Sequence, residues 1–136
     1  LHDALPIYGL VTGERELAFA ERLNELIVEN GYRLDTGFMA TPHLLDVLCD
    51  YGYQETAWRV LWQEQNPSWF YQINHGATTM WENWDAIRED GSRHDCSFNH
   101  YAFGCVGDFL YRRLLGIQND GHAYDKVVFA PDFSHH

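Results

Sequence analysis

Positive charge is scarce in this 136-residue chain: nine Lys and Arg stand against 20 Asp and Glu, for a formal net charge of −11. A surface of that sign repels phosphate backbones, so nucleic acid is not expected as a partner. Long apolar runs are missing too. No stretch approaches the roughly 20 apolar residues that a membrane span needs, and no positive, apolar and small segment opens the chain. The expectation is a soluble protein without a membrane partner, its compartment left open. Cysteine is also sparse. Cys49, Cys96 and Cys105 are odd in number and lack paired spacing, which argues against a disulfide framework. Cys49 sits in an apolar helical pattern and reads as a small buried hydrophobe. Internal repeats and low-complexity tracts are absent.

What the chain has in quantity is apolar and aromatic side chains, 46% and 15% of its residues, enough for the core of one ordinary domain. Most of the aromatics lie between Phe38 and Tyr111. Core packing would use them, and so would a surface that contacts flat ligands.

Apolar residues at Leu17, Ala20, Leu23 and Ile27 recur at three and four, which predicts an amphipathic helix from Glu14 to Asn30 capped by Gly31. Its Glu14, Glu16, Glu21, Glu25 and Glu29 read as a solvated face. Thr41 as N-cap with Pro42 in the first turn starts a second helix, carried by Leu44, Leu45, Val47 and Leu48 to Tyr51-Gly52. A third follows from Gln54 to Gln65, so the second and third form an antiparallel hairpin. Asn66-Pro67-Ser68 breaks it. Trp69 to Met80 shows no helical period and reads as an extended or looped approach to a short helix over Trp81 to Ile87, with a surface loop over Arg88 to Cys96.

A long helix is expected from Ser97 to Ile117, with small residues at Ala102, Gly104, Cys105 and Gly107. Glycine inside a helix costs about 1 kcal/mol against alanine, and close approach of a neighbouring helix would offset that. Asn119-Asp120-Gly121 then turns into a strand over Tyr124 to Ala130, which has no partner in this reading. Leu1 to Ile7 fit no periodic pattern and read as a boundary or an artefactual extension.

The run Gly76 to Asp85 sets one carboxylate, Glu82, between the indoles of Trp81 and Trp84. Sugars present polarised C–H faces that lie well on indoles, and a Glu among aromatics has its proton affinity set by desolvation and hydrogen bonds. Glu82 is therefore the leading catalytic candidate, with Thr78, Thr79 and His100 as candidate donors to it. The plain alternative is a Glu that caps or salt-bridges a helix. On a helix Trp81 and Trp84 would share a face; Trp81 is the favoured sugar platform and Trp84 the core residue. His100 could be a satisfied core histidine or a donor to a sugar hydroxyl. His94, Cys96 and His100 suggest zinc by residue type but lack a fourth ligand at a recognisable spacing, and Cys96 with His100 as its base lacks an orienting group. No metal is assigned.

Together, Gly37-Phe38-Met39-Ala40-Thr41-Pro42, Pro67-Ser68-Trp69, Gly76 to Asp85 and Ser97 to Gly104 resemble the α-L-rhamnosidases of glycoside hydrolase family 78, from about Tyr8 to the end of the chain. The resemblance implies an all-α fold of helical hairpins from an incomplete (α/α)6 barrel over residues 8–118. A linker and the first strand of a truncated C-terminal β-sandwich would follow over 119–136. It implies an inverting hydrolase that removes terminal α-L-rhamnose from glycosides or polysaccharides. Glu82 falls on the general-base position and His100 on a sugar-contacting one, while the general acid would precede Leu1. Cys105 stands where the family usually has serine, and Asp108-Phe109 where it usually has Glu-Trp.

No cofactor is implied. The partners would be rhamnose-containing glycosides and the remainder of the chain's own catalytic domain, and the piece alone is expected to be inactive. The alternatives are another six-hairpin glycosidase with a different sugar, and a non-catalytic carbohydrate-binding protein.

Overall fold

The computed structural model describes Leu10 and residues 12–131, so the boundary expected over Leu1 to Ile7 lies outside the described residues. The chain divides after Phe103 into two units.

In the first unit, helix α1 spans Glu14–Glu29 and buries Ala20, Leu23 and Ile27, the stripe its spacing predicts. Its end is closed by a reciprocal pair: Tyr32 N–H donates to Ile27 C=O (2.8 Å) and Gly31 N–H to Val28 C=O (3.0 Å). Gly31 takes φ +67° to allow this, a conformation that needs no side chain to be accommodated. Helix α2 spans Thr41–Asp50. Thr41 is its first residue rather than its cap, and its buried hydroxyl donates to the Gly37 carbonyl (2.9 Å).

Helix α3, Gln54–Leu61, packs on α2 as the expected hairpin, and both touch α1. It stops short of Gln65 because the Gln63 side-chain oxygen takes the N–H groups of Glu64 and Gln65 (both 2.9 Å) that a further turn would have used. Leu34, Leu44, Leu48, Ala57 and Val60 form the centre of the core. Thr56 donates to Asn24 Oδ1 (2.6 Å), tying α3 to α1.

The next stretch reverses the expected order of loop and helix. Trp69–Asn74 is helix α4, whose N-cap Ser68 accepts from Tyr71 N–H (3.0 Å). At six residues it is too short to print a period in the sequence. Residues 81–87, expected to be helical, instead form bends and a turn closed by Ala86 N–H on Asn83 C=O (3.2 Å). Residues 88–96 are the expected loop, pinned by Arg88 N–H on Ser92 C=O (2.9 Å) and an Ile87–Arg93 bridge.

The long helix expected from Ser97 is replaced by shorter pieces. A 3₁₀ turn over Ala102–Cys105 leads into α5, Val106–Phe109, and a π-helical segment over Leu110–Leu114. The expected tight approach at the glycines is not seen: a Cβ at Gly104 or Gly107 would meet nothing within 4 Å among the described residues. The strand expected near the end is shorter than its sequence signal and has a partner. Strand β1, Ile117–Asn119, pairs antiparallel with β2, Val127–Phe129, in the register Ile117 with Phe129 and Asn119 with Val127. Gly116, at φ +65°, allows the backbone of Ala130 to pass where any Cβ would overlap it.

Candidate functional site

The irregular segments 79–82 and 97–100 lie side by side. His100 N–H donates to Met80 C=O (2.8 Å), Glu82 N–H to Ser97 C=O (3.0 Å), and Thr79 Oγ1 to Phe98 C=O (2.6 Å). This pairing brings Glu82 and His100, 18 positions apart in sequence, onto adjoining strands of backbone.

The Glu82 carboxylate accepts the main-chain N–H of Ser97 (2.8 Å). The donor is thus a peptide group, not the expected Thr78, Thr79 or His100; Thr79 is committed to Phe98, and His100 Nδ1 faces Ala102 N–H (3.2 Å). This hydrogen bond fixes the direction in which the carboxylate points. Because Ala102 N–H can only donate, Nδ1 of His100 is the acceptor, and a neutral ring carries its proton on Nε2, ready to donate.

Glu82 lines an open groove of about 320 Å³ with Phe38, Asn66, Trp84, Asp85 and Phe103. Its wall is aromatic. Trp84 stacks on Phe103 (centroids 3.7 Å apart), Phe38 meets Phe103 edge-on (5.0 Å) and stacks on His100 (5.0 Å). Trp69 packs edge-on against Trp84 and donates its indole N–H to the Phe103 carbonyl (2.8 Å). The burial of the two indoles beside Glu82 is the reverse of that expected. Trp81 is 3% exposed, edge-on to Phe98, and it is Trp84 that keeps surface in the groove. The cause is the missing helix: without it the two residues do not share a face.

Sequence reading overlooked three contributors. Gln72 on α4, 2% exposed, accepts Trp81 N–H on Oε1 (3.2 Å) and donates from Nε2 to Asn83 C=O (3.3 Å), holding the peptide on both sides of Glu82. Ser97 reaches Glu82 only through its backbone. Asp85, a second carboxylate in the groove, takes His94 Nε2 (3.2 Å), whose Nδ1 faces Arg88 (3.0 Å). Both ring nitrogens of His94 are therefore occupied. Nearby, Tyr71 donates to Ile87 C=O (3.1 Å); burial pushes its phenol up, and Glu89, Asp85 and Asp90 add to this, so it stays a neutral donor. Among the described residues no group of His, Cys, Asp and Glu could hold a metal ion. None of their helices is long and apolar enough to cross a membrane.

This carboxylate in an aromatic groove stands on a scaffold of helical hairpins, and comparison with known proteins gives that scaffold its family. The description of the bacterial alpha-L-rhamnosidase 6 hairpin glycosidase domain matches residues 2–114, and the chain belongs to that family. It is 45% identical over 126 residues to an alpha-L-rhamnosidase of Streptomyces avermitilis, covering 90% of this chain and 12% of that protein. A second relative, an alpha-L-rhamnosidase of Formosa agariphila, is 36% identical over 91% of this chain and 14% of its own length. Among solved structures, the Streptomyces avermitilis alpha-L-rhamnosidase complexed with L-rhamnose superposes with a TM-score of 0.89 at 42% identity, over 96% of this chain and 13% of that one. The Aspergillus terreus alpha-L-rhamnosidase gives 0.82 at 36% identity, over 87% and 14%. The chain thus spans about an eighth of the length of the relatives it matches.

Proposed function

We propose that this chain is the C-terminal part of the catalytic domain of an inverting α-L-rhamnosidase, with Glu82 as the general base. Residues 8–118 supply the last hairpins of an (α/α)6 barrel, and residues 119–136 lead into a C-terminal β-sandwich that begins with β2. The observation that carries the reading is the Glu82 carboxylate fixed by Ser97 N–H at the edge of a ring-lined groove. That the relatives are alpha-L-rhamnosidases supports rhamnose as the sugar.

Inversion needs two carboxyl groups roughly 6.5–9.5 Å apart, with water between the anomeric carbon and the base. Glu82 takes the proton from that water as it attacks. The acid that protonates the leaving oxygen comes from a part of the domain other than these 136 residues, so the piece alone is inactive. His100 donates from Nε2 to a sugar hydroxyl. Trp84 offers its groove-side surface to the pyranose, and Trp81 serves as the buried root of the segment. The partners of the complete protein are rhamnose-containing glycosides or polysaccharides.

In the complete enzyme Glu82→Gln should lower kcat by at least about 100-fold while rhamnose still binds. Turnover retained in that variant rules Glu82 out as the base. Hydrolysis of an aryl glucoside in preference to an aryl rhamnoside would move the assignment to another six-hairpin glycosidase.

A further inference from the structure

Glu82 sits on a segment with no regular secondary structure, where the backbone has no repeating ladder to define its path. A base must nevertheless hold its oxygens to within a fraction of an ångström of the position from which they reach the attacking water. The described contacts give one side chain the means to do this. The Gln72 amide lies in the core, 2% exposed, on the inner side of α4. It spends its oxygen on Trp81 N–H (3.2 Å) and its nitrogen on Asn83 C=O (3.3 Å). These groups belong to the residues immediately before and after Glu82, so the amide spans the base without touching its carboxylate.

From this bracket we propose that Gln72 is a positioning residue for the base, fixing the main chain on either side of Glu82 so that the carboxylate meets Ser97 N–H and the water at one set angle. The proposal rests on the assignment of Glu82 above. Residue type matters: an amide puts a donor and an acceptor on neighbouring atoms of one planar, uncharged group, and without it Trp81 N–H would lose its acceptor while Asn83 C=O would keep only Ala86 N–H. The backbone that carries Gln72 is itself anchored, because its main-chain carbonyl accepts Ala77 N–H (3.0 Å) where the chain leaves α4. Asp85, bound to His94, braces the outer end of the same turn but reaches no peptide group flanking the base.

The test is a double-mutant cycle in the complete enzyme with an aryl rhamnoside, well below the melting temperature of every variant. Gln72→Met keeps the volume and removes both hydrogen bonds. It should lower kcat about 10- to 100-fold and leave KM within about twofold, as expected when only transition-state geometry is lost. In the Glu82→Gln background the same change should cost less than about twofold, because Gln72 acts through Glu82. A Gln72→Met loss that persists undiminished in that background, or one that raises KM as much as it lowers kcat, overturns the proposal in favour of a purely structural amide. Should Gln72→Met fail to fold, Gln72→Glu keeps the shape and the oxygen facing Trp81 and carries the same cycle with the same criterion. Wild-type turnover in Glu82→Gln alone would remove the base assignment itself, an outcome distinct from failure of the cycle.

Discussion

The α2–α3 hairpin and the segment from Thr79 to His100 belong to one unit and are held by opposite means. In the hairpin the backbone bonds to itself, and the work of fixing it falls to apolar side chains such as Leu44, Leu48, Ala57 and Val60. In the later segment scattered main-chain bonds, such as Glu82 N–H to Ser97 C=O, are joined by side chains that bond the backbone directly: Gln72 at Trp81 and Asn83, Tyr71 at Ile87, Thr79 at Phe98. Apolar packing is non-directional and tolerates exchange at constant volume. Hydrogen bonds to main-chain groups are directional and do not. The first arrangement supplies bulk stability, and the second fixes the path of the backbone around Glu82 as the proposed general base would require.

The contrast can be broken first in the hairpin. Leu48→Ala, at a site 1% exposed, should lower the local opening free energy by about 2–5 kcal/mol. In the complete enzyme that is at least tenfold faster hydrogen exchange across α2 and α3, with kcat unchanged. A fall in kcat would show that packing and precision are not separable. His100→Ala should act on the other side of the divide, raising KM about tenfold with kcat within about twofold, as loss of one hydrogen bond to the sugar requires. An unchanged KM would make His100 a structural member of the aromatic wall. The smallest effect belongs to Thr79→Val, which loses the bond to Phe98 C=O and should cost about 0.5–1.5 kcal/mol. Exchange across residues 97–100 would then quicken a few-fold while α2 and α3 stay protected; equal change in both would erase the distinction.

How much of this was legible in the sequence follows the same line. Helices α1 to α3 are readable because their apolar residues repeat over two turns or more. Helix α4 is not, since Trp69, Tyr71 and Gln72 crowd into less than two turns and Ser68 caps it from an unremarkable context. Helical spacing set Trp81 and Trp84 on one face, but Gln72 and Ala86 take the Asn83 C=O that a helix would have offered to Ile87 N–H. Resemblance to known rhamnosidases pointed to Glu82 and His100. It could not point to Gln72 or Ser97, whose parts depend on meetings between segments 9 to 15 positions apart. Strand β1 went unread for a similar reason: three residues with no alternation carry no signal until β2 lies beside them.

Ser97 meets Glu82 twice, and both times through its peptide group. Every amino acid except proline carries that hydrogen, so its hydroxyl is dispensable to the carboxylate while its amide is not. Saturating codon 97 in a growth selection on rhamnosides would therefore return a nearly flat fitness profile with a single hole at proline. A position in direct contact with Glu82 would thus pass for a neutral one in any survey that counts side chains alone.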